Sequence, residues 1–379
     1  MKDAEFQQKY SEYMSNIWPE LNIKTQEVCR NNITGALLDE KNFEYFRNSM
    51  QKRFQRLHKY FTNEPHILDT IKNLHSEKNW EGALCELITY DLLSSTKYNV
   101  TLQKQLQVNK TLAKYIKNKG ATEIDAYMDV YNTNFEIKSL KDNIKEIIDN
   151  LTKNFKQYVT CEYNYDIEYS ILQNKFADLK NELKRNINNN SEDFAFRSTI
   201  CDGLLFHVYY TRPNITSTIH CYSPYAEAEA LERLPLSKYH QLSIDKPNIK
   251  VFVTHPWING NCYNSLFGPE ILFRSLARRV FCKLSKVRKP YDSSSKVTSR
   301  KIAKTITGLM FIVDNSVESS KNKYNKNNSD FSVFDVYLFW NPNVYKKNKI
   351  IGFNQLEEDL GTRGLNVIRL IDDFASDNY

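Results

Sequence analysis

Asp125, Glu136 and Lys138 lie on two short alternating segments and are of the types that hydrolyse phosphodiesters around a divalent cation. The first segment is Ala121-Thr-Glu-Ile-Asp-Ala-Tyr-Met128 and the second is Asn134-Phe-Glu-Ile-Lys-Ser-Leu140. The residues between them, Asp129 to Asn134, are rich in turn formers, so the two segments read as a hairpin. A bend centred near Tyr131 and Asn132 puts Asp125 opposite Lys138 and Tyr127 opposite Glu136. Side chains alternate across a strand, so Glu136 and Lys138 share one face and Ile137 points to the other. Asp125 and Glu136 are then diagonal neighbours, roughly 7–8 Å apart at the backbone, close enough to share one metal ion.

Phosphodiester hydrolysis needs an activated water, neutralisation of phosphate charge and help for the leaving oxygen. Mg²⁺, or Mn²⁺, prefers carboxylate, carbonyl and water oxygens. Asp125 and Glu136 supply carboxylates, and the main-chain carbonyl of Ile137 is a candidate third ligand. Lys138 is placed to hold the attacking water and to stabilise charge in the transition state. A further carboxylate, Glu86, lies in the helical pattern from Trp80 to Leu93. Its neighbours on the helix face are Gly82, Ala83, Thr89, Tyr90 and Leu93, a packing face on which a lone carboxylate is costly unless it is paired or bound to a cation. Gly82 on that face would allow close approach to a sheet.

The triplet of an acid, any residue and lysine occurs four times, at Asp39, Glu136, Asp178 and Glu182. Only the Glu136 triplet has strand flanks. The other three fall in helical patterns, where residues two apart face different ways. The order of a helix with Glu86, a strand, Asp125 on a strand, then Glu136-Ile137-Lys138 and a helix resembles the restriction-endonuclease-like, or PD-(D/E)-x-K, nuclease superfamily. The resemblance spans about residues 78–160, with Ile124 where the family's name has proline. It implies an α/β fold whose core is a central mixed sheet flanked by helices. It also implies a Mg²⁺-dependent nuclease in which Asp125, Glu136 and Lys138 are catalytic and Glu86 is accessory, and it brings restriction or phage defence into view as a setting.

The elements that must hold these groups follow from periodicity. Residues 1–75 read as a helical N-terminal region, and 76–379 as one α/β domain. Phe43, Phe46, Met50, Phe54, Leu57 and Phe61 recur at helical spacing, a stripe that serves as core or as a homodimer surface. Lys141–Tyr158 and Tyr169–Asn186 read as helices. Strands are expected at Val100–Val108, Leu204–Tyr210, Ile249–Thr254, Ile306–Val313 and Val333–Trp340. The chain has no run apolar enough to span a membrane, a polar N-terminus and seven scattered cysteines, as expected of a cytoplasmic protein.

The net charge of +7 is less informative than its distribution. Between Arg274 and Lys304 eleven basic residues are opposed by Asp292 alone. This basic segment marks a polyanion partner, most simply DNA. Arg274, Arg278, Arg279, Lys283, Lys286, Arg288 and Lys289 are its candidate phosphate contacts. The chain has no P-loop, so an ATPase function would need a separate partner. Two other readings stay open: a catalytically silent nuclease-like module that binds nucleic acid or a partner, and a helical-type ribonuclease using Arg53 and His58.

Overall fold

The computed structural model describes residues 3–62, 64–116, 120–141, 143–153, 155–163, 169–210, 223–259, 268–291, 296–317, 334–345, 351–362 and 366–369. Two compact units emerge: residues 1–140 with 232–379, and residues 141–231. The N-terminal helices thus belong to the same unit as the hairpin, with no division near residue 75.

In the larger unit the helices α1 (Asp3–Ile17), α2 (Asn32–Leu38), α3 (Glu40–Phe61), α4 (Pro65–Asn73) and α5 (Trp80–Ser94) come first. Then come β1 (Val100–Leu106), β2 (Thr122–Met128) and β3 (Thr133–Ser139). The smaller unit follows, with α6 (Asn143–Thr152), β4 (Tyr158–Tyr163), α7 (Tyr169–Asn174), α8 (Phe176–Asn188), β5 (Phe194–Arg197), β6 (Leu204–Tyr209) and α9 (Pro224–Ala230). The chain then returns to the larger unit through β7 (Asn248–Thr254), α10 (Glu270–Arg278), α11 (Ser299–Thr305), β8 (Gly308–Asp314), β9 (Phe334–Trp340), α12 (Pro342–Tyr345), α13 (Ile351–Gly361) and β10 (Asn366–Arg369).

Among the described residues of the larger unit, seven strands form one mixed sheet in the order β1-β2-β3-β7-β8-β9-β10. β3, β7 and β8 run parallel to one another, and the β1-β2-β3 meander and the β8-β9 pair are antiparallel. β7 and β8 are buried along their whole length, as parallel strands covered on both faces must be. One face carries Ala126, Met128, Phe135, Ile137, Val251, Val253 and Met310 and packs with Phe46, Met50, Phe54 and Leu57 of α3 and with α5 in a single core. The aromatic stripe of α3 is therefore core. On the opposite face Phe252 and Phe311 stack at 5.5 Å between ring centroids, and Phe273 of α10 stacks on Phe311 at 4.3 Å. The result is an α/β layered unit with helices on both faces of a mixed sheet.

α5 ends one residue beyond its predicted span, and β1, β6, β7, β8 and β9 begin and end within two residues of the strands expected there. Three further strands, β4, β5 and β10, are not among those expected from the sequence, and β5 and β10 are only four residues long. The predicted helix over 141–158 stops at Thr152, and Tyr158 opens β4. Gly82 is exposed, with open space around it, so it mediates no close approach of helix to sheet.

The smaller unit has a three-stranded antiparallel sheet in the order β4-β6-β5. Its own core gathers Leu151, Leu172, Leu179, Leu183, Leu204, Phe206 and Val208. Two of the four acid-x-lysine triplets, at Asp178 and Glu182, lie in α8, and Asp39 caps the start of α3, so neither setting is a strand.

Candidate active site

The site forms where two strands part. β2 pairs with β3 at Ala126↔Phe135, Tyr127↔Asn134 and Met128↔Thr133, but goes no further, although it stays paired to β1 as far as Thr122. The turn occupies Asp129–Asn132, with Asn132 in the left-handed region at φ 48°. This register is two residues away from the one read from the turn formers, which placed Tyr127 opposite Glu136. A slip of two preserves every face assignment, because side chains repeat with period two. It also moves Asp125 from a diagonal position to the one across from Glu136.

At the point of parting, Asp125 takes over the work of the backbone. Its Oδ2 accepts the Ile137 N–H at 2.7 Å, satisfying a donor that β2 no longer reaches. The Ile137 side chain is buried in the core behind the sheet, while Glu136 and Lys138 point to the other face. Glu136 is 1 % exposed and Asp125 7 %. Neither carboxylate oxygen of Glu136 makes a hydrogen bond, and its nearest cation is Lys138 Nζ at 3.1 Å.

Two lysines that the sequence reading did not single out complete the setting. Lys250 of β7 is in register with Glu136, fully buried, and donates to the Ser237 carbonyl at 2.9 Å. Lys238 approaches the same Glu136 Oε1 to 3.9 Å, with about half its side chain in solvent. It comes from the segment preceding β7, which lies over this face, and its backbone is left-handed at φ 47°. A non-glycine residue held in that region is strained, and such strain concentrates at functional sites. A signal for Lys250 exists in the sequence: a lysine inside an otherwise apolar strand must find a polar environment in the interior.

These surroundings reset the titration of the groups. Burial, then the negative charge of Glu136, push the Asp125 carboxyl up to about 7. Burial pulls the Lys138 ammonium down to about 7; Glu136 opposes the shift and Lys238 and Lys250 reinforce it. Burial also lowers Lys250. Burial works against the charge on Lys238, but the attraction of Glu136 and a hydrogen bond with Lys138 outweigh it and hold Lys238 above the ordinary lysine value. One lysine is thus readily neutral beside one that stays cationic.

Glu86 sits just outside this ring of groups. Its Oε2 accepts from Thr70 Oγ1 at 3.1 Å and lies 3.2 Å from His66 Nε2. His66 is in turn 3.0 Å from Tyr90 Oη and 3.2 Å from Gln103 Nε2, and Tyr90 Oη donates to the Asp125 carbonyl at 3.4 Å. Glu86 therefore reaches Asp125 through a polar relay and through its charge, which adds to the upward shift of Asp125. Among the described residues no three His, Cys, Asp or Glu side chains converge on one point. Asp125 and Glu136 are the pair that could hold a cation, with water completing its shell.

The basic segment is less open than its sequence implies. Arg279 is buried and pairs with Glu232 at 2.8 Å, Lys283 pairs with the same carboxylate at 2.9 Å, and Arg274 pairs with Glu270 at 2.7 Å. Counting acids only inside the segment missed Glu232 and Glu270, which lie outside it in sequence and against it in space. Arg278 is half-buried, and Lys286, Arg288 and Lys289 are exposed. Asp292 lies outside the described residues. Arg53 and His58 have separate commitments. Arg53 is buried against Asp91 and Asp314, whereas His58 bonds Glu20 at 2.9 Å and packs edge-on to Trp18. No helix among the described residues is long and apolar enough to cross a membrane. Searches against family models, curated proteins and solved structures return no match.

Proposed function

We propose that the chain is a Mg²⁺-dependent nuclease with a restriction-endonuclease-like core, acting as a DNA endonuclease, with restriction or phage defence as its setting. The observation that carries this reading is the buried pair Asp125 and Glu136, side by side where β2 leaves β3, with Lys138 on Glu136. Two neighbouring carboxylates, one of them without hydrogen bonds, suit a divalent cation better than they suit each other. The cation, bound through Asp125 and Glu136, supplies Lewis-acid polarisation of a phosphate and lowers the pKa of water.

The chain's own side chains do the rest. Asp125, by holding the Ile137 N–H, fixes the distance between the two strand ends. Lys138, with its ammonium near pKa 7, offers an amine that takes a proton from the attacking water. Lys238, held cationic at the half-exposed rim, neutralises charge as it grows on the phosphate.

The test is direct. Purified protein is incubated with supercoiled plasmid and with single- and double-stranded DNA and RNA, in Mg²⁺, in Mn²⁺ and in EDTA. Cleavage of DNA that requires the metal is expected, and Lys138→Ala should lose it. Full cleavage by Lys138→Ala would remove the site assignment, and binding without cut products in any metal would leave a silent binding module instead. Lys238→Ala is expected to retain binding and lose roughly 10²-fold in kcat, the scale of one electrostatic contact to the transition state; an unchanged kcat would return Lys238 to a structural role.

A further inference from the structure

Two residues along β2 from Asp125, on the same face, Tyr127 is clasped by a pair of lysines from distant parts of the chain. Lys104 of β1 places its Nζ 3.2 Å from the centre of the Tyr127 ring. Lys246, just before β7, places its Nζ 4.2 Å from that centre and donates to Tyr127 Oη at 2.7 Å. Tyr127 Oη in turn donates to Asn132 Oδ1 at 2.9 Å, which fixes the ring. Burial and the Lys246 charge both hold Lys104 below the ordinary lysine value. Asp129 of the turn is the acid whose charge Lys104 feels, yet no carboxylate among the described residues is within ion-pair distance of either lysine. A ring quadrupole attracts each ammonium, but it does not cancel the repulsion between two of them. An anion placed against both would.

We propose that Lys104 and Lys246, set on Tyr127, bind a non-scissile phosphate of the nucleic-acid strand whose neighbouring phosphate lies at Asp125 and Glu136. Two residues of strand span ~7 Å, the scale of one nucleotide step of backbone. The face is shared, because residues two apart on β2 point the same way. This inference rests on the nuclease reading of Asp125 and Glu136. It assigns these lysines to binding, which can be measured without any turnover.

The experiment measures the affinity of fluorescein-labelled single- and double-stranded oligonucleotides in EDTA, so that no cleavage occurs, at several salt concentrations. For Lys104→Gln/Lys246→Gln we expect affinity to fall about 10-fold or more. The slope of log affinity against log salt should become shallower by roughly 0.7–0.9, the release of counterions from one phosphate contact. Lys104→Arg/Lys246→Arg should restore most of both, which excludes a loss due to misfolding. If the wild type binds and the glutamine variant matches it in affinity and slope, the phosphate site is overturned and the nuclease reading stands. If the wild type binds no oligonucleotide in EDTA, the phosphate site is overturned, while cleavage in Mg²⁺ still decides the nuclease reading. If the arginine variant binds as weakly as the glutamine variant while melting like the wild type, charge is not what the pair supplies, and the proposal is overturned.

Discussion

Replacing Asp125 with Asn is expected to abolish metal-dependent cleavage, by ~100-fold or more, and at the same time to raise the melting temperature at pH 7. The two effects share one cause. An aspartate's ordinary pKa is 3.8, and burial beside Glu136 lifts Asp125 to about 7. Between those values the folded chain holds a proton that the unfolded chain has lost. Stability contributed by this group therefore falls as pH rises through that window, and the full penalty is present above pH 7. A shift of about three units corresponds to something on the order of 4 kcal/mol. Asparagine has no charge to bury, and its oxygen can still accept the Ile137 N–H that Asp125 accepts at 2.7 Å.

Lys138 shapes the other limb. Its folded pKa of about 7 lies below the ordinary 10.5, so the unfolded chain keeps a proton through that interval. Its penalty is full below pH 7 and fades as pH rises toward 10.5. The two groups together make the site least favourable to the fold near neutrality. Melting curves collected from pH 4 to 9 should show a shallow minimum there, and Asp125→Asn should flatten the acid limb alone. Mg²⁺ at pH 7 should raise the wild-type midpoint and leave that of Asp125→Asn unchanged. A variant that melts lower than the wild type at pH 7 would contradict the buried like-charge pair.

Arg53→Met is expected to lower stability by about 3–5 kcal/mol, because it removes the buried guanidinium that two buried carboxylates share. Arg53 Nε lies 3.2 Å from Asp91 Oδ2 and its Nη2 lies 3.3 Å from Asp314 Oδ2, and all three side chains are fully buried. Arg56 grips Asp91 from the rim, with Nε 2.7 Å from Oδ1 and Nη2 2.7 Å from Oδ2. Asp91 therefore keeps a partner in the variant, whereas Asp314 loses the ion pair that Arg53 provides. The network ties α3 to α5 and to the end of β8, so its loss should loosen the helical layer behind the sheet. Denaturant titration of Arg53→Met measures the effect. Wild-type stability in the variant would show that the guanidinium is dispensable to the core, and would reopen a chemical role for Arg53.

What the sequence determined by itself was what repeats locally. Period-two alternation put Glu136 and Lys138 on one face and Ile137 on the other, and survived a two-residue error in the hairpin register. Helical spacing placed α3 and α5 and the buried stripe of Phe46, Met50, Phe54 and Leu57. The tertiary structure alone decided what surrounds that face. β3 lies beside β7, so residues 114 apart, such as Asn134 and Asn248, become neighbours, and the same register brings Lys250 alongside Glu136. The segment that overlies this face brings Lys238 to Glu136 and Lys246 to Tyr127, and Glu232 comes to quench Arg279 and Lys283. Local spacing carries no trace of such encounters. Pairing of distant strands is selected by burial of the whole sheet, and charge is balanced in space rather than along the chain.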